Sequence, residues 1–142
     1  MVSPFRFLLQ SRWGDMDALH HVNNVRYVEY AQEARIAFFA RAVGLDPDDR
    51  SPFVVVRQEI DYLLPLVHRD GQVAVDVVVT HLGNRSFTLV QTIRDPEPDG
   101  STYARVVTVL VGFDPVAESS RPLEDVERTG LTALLDEPDA RA

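Results

Sequence analysis

Residues 12–30, "RWGDMDALHHVNNVRYVEY", gather two aspartates, two histidines and two asparagines before the sequence turns apolar with a helical beat. Side chains of these types, this close together, could move protons, attack an electrophile or ligate a metal. The metal readings fail on spacing. A calcium loop beginning at Asp15 needs glycine at its sixth position and glutamate at its twelfth, where the chain has His20 and Arg26. His20 and His21 are adjacent, so on a regular element they diverge and cannot share one zinc ion as residues four apart do. No metal and no cofactor is expected. Two structural roles stay open beside the chemical ones. Asn23 or Asn24 can cap the helix that follows, and Asp15 and Asp17 can satisfy loop amides near its positive end.

Composition removes further classes. The chain has no cysteine, which excludes thiolate nucleophiles, disulfides and Cys-based metal sites, and its fourteen basic residues are all arginine. Without lysine there is no Walker lysine, no Schiff base and no lysine-dependent phosphatase site to use the Asp-x-Asp pair. A net charge of -8 argues against a nucleic-acid partner. The opening "MVSPFRFLLQ" places Pro4 and Arg6 where a signal peptide needs an apolar run, and no stretch approaches membrane-spanning length. A soluble, cytoplasmic protein with no membrane contact is expected. One domain, residues 1–142, accounts for the length.

The elements that must position the cluster follow from periodicity. From Asn24 onward, Tyr27, Ala31, Ala34, Phe38 and Ala42 share one helical face, with Arg26, Glu29 and Glu33 on another. Gly44 fits the helix end, and "LDPDDRSP" is a loop of turn formers. Residues 5–12 read as a short strand, and four longer strands follow at 52–66, 72–82, 85–93 and 102–113, rich in β-branched and aromatic residues. The separators "HRDG", "GN" and "DPEPDG" are short turn signals, which predict antiparallel hairpins in sequence order, a meander with the apolar helix on its concave face. Residues 122–131 suggest a short terminal helix within a terminal region 116–142 that ends in a loose tail, "DEPDARA". His68 and His81 fall in a turn and a strand, facing solvent or an interface.

"GDMDALHHVNNVRY", the apolar helix after it and the "QEIDYLLPL" segment together resemble the 4-hydroxybenzoyl-CoA thioesterase branch of the hotdog-fold thioesterases, over about residues 5–115. The acyl-ACP thioesterases are similar in the Asp-x-Asp and "HVNN" elements. The resemblance implies an α+β hotdog fold, a long central helix wrapped by a curved antiparallel sheet, paired into dimers or dimers of dimers with active sites between subunits. It implies that Asp17 is the catalytic acid, either attacking the thioester or activating water. It further implies that the backbone NH of Asn24 or its neighbour polarises the thioester carbonyl at the helix N-terminus. His21 and Asn23 follow as candidates. His21 matches a histidine of the acyl-ACP enzymes, and the alternative is that it orders the loop. Asp15 reads as a loop or cap residue. The chain departs from the family at His20, where many relatives have glycine, and at Leu19, where the acyl-ACP enzymes have asparagine.

Coenzyme A is polyanionic, and Arg85 in "LGNRSF" and Arg69 in "HRDG" are placed by analogy to pair with its phosphates, each with solvated surface as the alternative. Tyr27, Tyr30, Phe53 and Tyr62 could line the acyl site or simply pack the core. The expected partner is an acyl-CoA substrate, in a homodimer or homotetramer. The expected activity is hydrolysis to free acid and CoA. Hydrolysis of acyl-carrier protein and a non-catalytic acyl-thioester binding module remain as alternatives.

Overall fold

The structure is a computed structural model, and it describes residues 2–46 and 53–136. Strand β1, Phe5–Leu9, leads through a 3-10 turn at Trp13–Asp15 and a loop into helix α1, Asn24–Phe38. Asn23 caps α1: its side-chain oxygen accepts the Val25 amide at 2.9 Å, satisfying one of the first-turn amides that have no carbonyl a turn back. The last turn widens into a π-helical segment, Phe39–Val43, which Gly44 ends with φ of +82°, the left-handed conformation that costs glycine nothing. Tyr27, Tyr30, Ala31, Ala34, Ala37 and Phe38 are buried. Three alanines on that face let the helix backbone come close to the sheet.

Strands β2 (Phe53–Tyr62), β3 (Val73–Leu82), β4 (Ser86–Arg94) and β5 (Thr102–Asp114) complete the main sheet in the order β1-β3-β4-β5-β2, every pair antiparallel. A two-residue strand β6, Ser119–Ser120, adds to β5, and helix α2, Asp125–Thr132, follows. Along β3 and β4 the alternate residues Val73, Val75, Val77, Val79, Phe87, Leu89, Gln91 and Ile93 are fully buried, so one face of the sheet closes on α1. α1 packs on β1, β3 and β4. Phe39, Phe53 and Phe87 form an aromatic corner with centroids 4.9–6.1 Å apart. Each large side chain buried in this way stabilises by roughly 1.5–3 kcal/mol. The architecture is the hotdog arrangement, one long helix on a curled antiparallel sheet.

One expectation is corrected. β2 and β3 do not form a hairpin: β2 lies at the far edge, paired with β5, while β3 pairs with β1 and β4. Three strand spacings, about 14 Å, separate the two, and residues 63–72 cross that gap as a strap. The strap passes beneath the start of α1, where buried Leu66 accepts the Val22 amide through its carbonyl at 2.7 Å and donates its own amide to the Tyr27 hydroxyl at 3.0 Å. Residues 63–66, read as strand, are therefore the strap's first part. β1 likewise stops at Leu9 rather than 12. Within the terminal region, β6, α2 and a bridge from Val79 to Leu135 are ordered parts of the fold. Residues 137–142 of the expected tail, and 47–52 of the expected loop, lie outside the described residues. Among the described residues no helix is long and apolar enough to cross a membrane.

Candidate active site

The loop between the 3-10 turn and α1 folds back on itself. The Asn23 amide donates to the Asp15 carbonyl at 2.9 Å, Met16 bridges Val22, the Asp17 amide donates to the His21 carbonyl at 3.0 Å, and the His20 amide closes a tight turn on the Asp17 carbonyl at 2.9 Å. That turn puts His20 at φ of +62°, a conformation disfavoured by a Cβ, which accounts physically for a preference for glycine there. The loop thus holds Asp17 over the helix start. Asp17 Oδ1 accepts the Leu19 amide at 2.9 Å, and Oδ2 accepts a hydrogen bond from Asn23 Nδ2 at 3.0 Å. Asn23 therefore works at both ends, its oxygen capping α1 and its nitrogen gripping the carboxylate.

Asp17 is half-buried, open on one side. Beside it the first-turn amide of Asn24 has no hydrogen-bond partner among the described residues, while the Val25 amide is occupied by Asn23 Oδ1 and the Arg26 amide by the Asn23 carbonyl. An amide in that position, backed by the helix dipole, is suited to an oxygen that gains negative charge. The Asn24 carbonyl accepts from the Tyr62 hydroxyl at 3.1 Å, which ties the end of β2 to the same corner, and Tyr62 meets Tyr27 edge to face at 5.2 Å. His21 is exposed, and its carbonyl rather than its ring holds the loop. Tyr27 is only 4% exposed and its hydroxyl receives the Leu66 amide, so it packs and braces the corner. Burial is the main cause that raises the Tyr27 pKa, so it stays a neutral phenol.

Asp15 is the rigid counterpart of Asp17. It is 2% exposed, and its Oδ2 accepts the Tyr30 hydroxyl at 2.5 Å and the Arg12 amide at 3.0 Å, with the Arg12 and Arg26 guanidinium groups at 3.3 and 3.7 Å. Burial alone would raise its pKa, but the Tyr30 hydroxyl, the Arg12 amide and the two arginines outweigh it and hold the carboxylate below its ordinary value. Tyr30 is pushed well above the ordinary phenol, by burial first and by Asp15 second. This lock anchors the loop to α1. A cleft of about 610 Å³ opens on that flank, between β1 and α1, lined by Phe7, Leu9, Arg12, Asp15, Tyr30 and Glu33. Asp17 is not among its walls.

The two arginines do not join this group within the chain. Arg69, in the strap, is committed elsewhere: it pairs with Asp95, donates to the Tyr103 hydroxyl at 3.1 Å and to the Gln72 carbonyl at 3.1 Å. Burial opposes its charge, yet Asp95 and Tyr103 raise its pKa. Arg85 lies in the β3–β4 turn, at the opposite end of the sheet from the α1 N-terminus, and donates to the Ser120 carbonyl at 2.8 Å. His68 is half-buried rather than free, with Nδ1 2.8 Å from Ser11 Oγ, and His81 is exposed. Sequence reasoning missed the Tyr30–Asp15 lock and the strap at Leu66. The apolar "YLLPL" run, interrupted by Pro65, was the hint of the latter. Among the described residues no three His, Asp or Glu side chains cluster in a way that could hold a metal ion.

Comparison with known proteins supplies independent findings. Residues 11–127 match the model of the thioesterase-like superfamily. The chain is 30% identical over 128 residues to the long-chain acyl-CoA thioesterase FadM of Escherichia coli (strain K12), an alignment covering 84% of this chain and 91% of that protein. The crystal structure of a thioesterase complexed with coenzyme A and Zn from Thermus thermophilus is similar with a TM-score of 0.80 and 32% identity, over 96% of this chain and 97% of that one. A predicted thioesterase from Bacillus stearothermophilus shares the fold, with a TM-score of 0.82 and 23% identity over 95% and 98% of the two chains.

Proposed function

The chain belongs to the thioesterase-like superfamily, and from that premise we propose that it hydrolyses an acyl-CoA thioester to the free acid and CoA. The observation that carries this reading is the double grip of Asn23, which fixes the Asp17 carboxylate beside a helix-start amide that has no partner among the described residues. In the proposed reaction the thioester carbonyl oxygen accepts from the Asn24 amide as it becomes anionic, and Asp17 acts on the carbonyl carbon. As a nucleophile, Asp17 displaces the CoA thiolate and leaves a mixed anhydride, which water cleaves. As a general base, it takes the proton of a water that attacks directly. His21, exposed at the loop's rim, is proposed to protonate the departing thiolate or to order that water. FadM is an acyl-CoA thioesterase and the Thermus thermophilus thioesterase is complexed with coenzyme A, which favours CoA over carrier protein as the leaving group here.

The site is proposed to be completed by a second copy of the chain. β2 is an edge strand, and Val54, Val55, Val56, Tyr62, Leu63 and Leu64 on and beyond it are exposed, an unusual apolar edge for a monomer. Two-fold pairing through β2 would be antiparallel, so it exchanges ends: the partner's β3–β4 turn comes to this chain's catalytic end. Arg85 would then serve the CoA phosphates of the other subunit's site, about three strand spacings, roughly 15 Å, beyond the shared edge. Arg69 would act on CoA only by giving up Asp95, and its proposed role is to brace the strap.

Thiol release from short, long, branched and aromatic acyl-CoAs tests the reading, with wild type against Asp17→Asn. A cysteine-free protein adds no background to a thiol-trapping assay. The expected result is turnover that falls about a hundredfold or more in the variant with folding intact. Saturable acyl-CoA binding without turnover would replace the hydrolase with a binding module. Turnover of acyl-carrier protein far above matched acyl-CoA would reassign the leaving group.

A further inference from the structure

The inner face of the sheet is apolar except for one row. Gln58 on β2 stands opposite Thr108 on β5 and donates to its hydroxyl through Nε2 at 3.0 Å. Thr108 stands opposite Leu89 on β4, and Gln91 is the next residue of that strand on the same face. Thr108 and Gln91 are both fully buried. The row runs from the exposed β2 edge to the underside of α1, where Gln91 Nε2 donates to the Ala31 carbonyl at 2.7 Å. There the polar groups go unmet. Gln91 Oε1 finds no donor, and Nη1 of Arg35, one helical turn past Ala31, is buried and finds no acceptor among the described residues. Burial lowers the Arg35 pKa with no carboxylate opposing it.

Buried polar atoms without partners are costly and uncommon, and an acceptor and a donor left open beside one turn of helix define a narrow chemistry. A hydroxyl group donates once and accepts twice, so one such group can meet both atoms. Ala31 and Arg35 are seven and eleven residues past Asn24, both close to whole turns, hence on the stripe of α1 that begins at the proposed carbonyl-binding amide. At 1.5 Å per residue they lie about 11 and 16 Å along the axis from it. A short or single-ring acyl group cannot reach that far, whereas a long chain lying along α1 can.

We propose that the acyl group taken by this site is a long chain bearing a hydroxyl remote from the thioester, with Arg35 and Gln91 as its specificity-determining residues. The proposal rests on the thioesterase reading above. Gln58 and Thr108 extend the polar row behind the hydroxyl. A plain alkyl chain would leave Arg35 Nη1 and Gln91 Oε1 unpaired, which penalises it relative to the hydroxylated chain.

The test compares kcat/KM for ω-hydroxydodecanoyl-CoA and dodecanoyl-CoA in wild type, Arg35→Met and Arg35→Lys. Wild type is expected to favour the hydroxylated chain several-fold. Arg35→Met is expected to lower that ratio about tenfold by raising the hydroxylated substrate's KM, and Arg35→Lys to restore part of it. Thermal unfolding of each variant checks that the fold is retained. Hydrolysis of both chains with a ratio that Arg35→Met leaves unchanged would overturn the proposal while leaving the hydrolase standing. A changed subunit dissociation constant with that same unchanged ratio would give Arg35 to a carboxylate of a second copy and likewise overturn it. Failure to hydrolyse either thioester in wild type would remove the parent reading and this one with it.

Discussion

Asn23 performs two tasks with one amide group, and substitution can separate them. Asn23→Ala removes both. Loss of an N-cap costs about 1 kcal/mol. Loss of the 3.0 Å hydrogen bond to Asp17 costs about 1 kcal/mol more once the exposed side of that carboxylate is allowed for. About 2 kcal/mol in a domain of this size lowers Tm by roughly 7 °C. Asn23→Asp keeps an equally good cap but turns the donor into a second carboxylate. At 3.0 Å the repulsion is about 1.4 kcal/mol in a water-like medium, and it is partly offset by the favourable placement of a negative charge at a helix N-terminus, about 0.5 kcal/mol. With the lost hydrogen bond to Asp17, about 1 kcal/mol, the net loss is again about 2 kcal/mol, so its Tm should fall by roughly 7 °C as well. Both variants release Asp17, and slack of the order of 1 Å at a reacting group costs about a hundredfold in rate. Thermal unfolding and thiol release on one acyl-CoA give the two readouts. The expected pattern is two slow variants of similar stability, Asn23→Asp with the cap kept and Asn23→Ala with it lost. An Asn23→Asp enzyme with wild-type kcat would refute the claim that Asn23 positions Asp17.

Three further outcomes follow from particular contacts. At His20, φ of +62° makes backbone shape the requirement: His20→Gly should leave kcat and stability nearly unchanged, while His20→Val should cost about 1–2 kcal/mol in chemical denaturation. A large loss of kcat in His20→Gly would assign the imidazole a chemical part. Asp15 has a depressed pKa in the fold, so the stability it contributes is present above the ordinary aspartate value near 3.9 and is lost as pH falls through the lower folded value. Tyr30→Phe removes its strongest favourable hydrogen bond, so acid unfolding should begin at higher pH. An unchanged acid limb would show that the Tyr30–Asp15 bond carries no such linkage. At Gly130 in α2, an added Cβ would sit 2.8 Å from Val43 Cγ1 and 2.9 Å from the Val43 backbone. Gly130→Ala should therefore destabilise by about 1–3 kcal/mol in a denaturant melt even though alanine is the better helix former, and stabilisation would mean that α2 can move away.

The helix and the strands were legible because they rest on local signals: the Asn23 cap, the apolar stripe through Tyr27 and Phe38, and β-branched runs broken by turn residues; the hotdog class came from the resemblance carried by "GDMDALHHVNNVRY". The place of β2 was not. Turn formers at "HRDG" mark where a chain bends, but they do not say which edge it bends toward. The partner of β2 is β5, some fifty residues on, and it is selected by what the curled sheet leaves open. Within the site, Asp17 and Asn23 are neighbours in sequence and in space, so the motif carried them together. The Tyr30–Asp15 bond depends on how α1 is rotated against its incoming loop. Arg69 and Arg85 show the limit of residue type: both sit in turns, yet one is paired with an aspartate that lies beyond the next hairpin and the other stands at the far end of the sheet.

The strap has a kinetic consequence. β3, β4 and β5 pair through short turns and can form early, whereas β2 must find β5 across a long loop, a slow kind of contact. Until β2 is seated, residues 63–72 have no anchor on that side, and Leu66 cannot hold Val22 and Tyr27 at the foot of α1. The loop bearing Asp17 is thus fastened by a long-range contact that forms after the β3–β4–β5 hairpins. Amide exchange at Val22 and Leu66 should become slow together, and later than at β3 and β4, when the chain refolds from denaturant. Any enzymatic activity would then return on the clock of β2 docking rather than with the bulk of the sheet. A partly folded chain would hold its helix and most of its strands and still be inert.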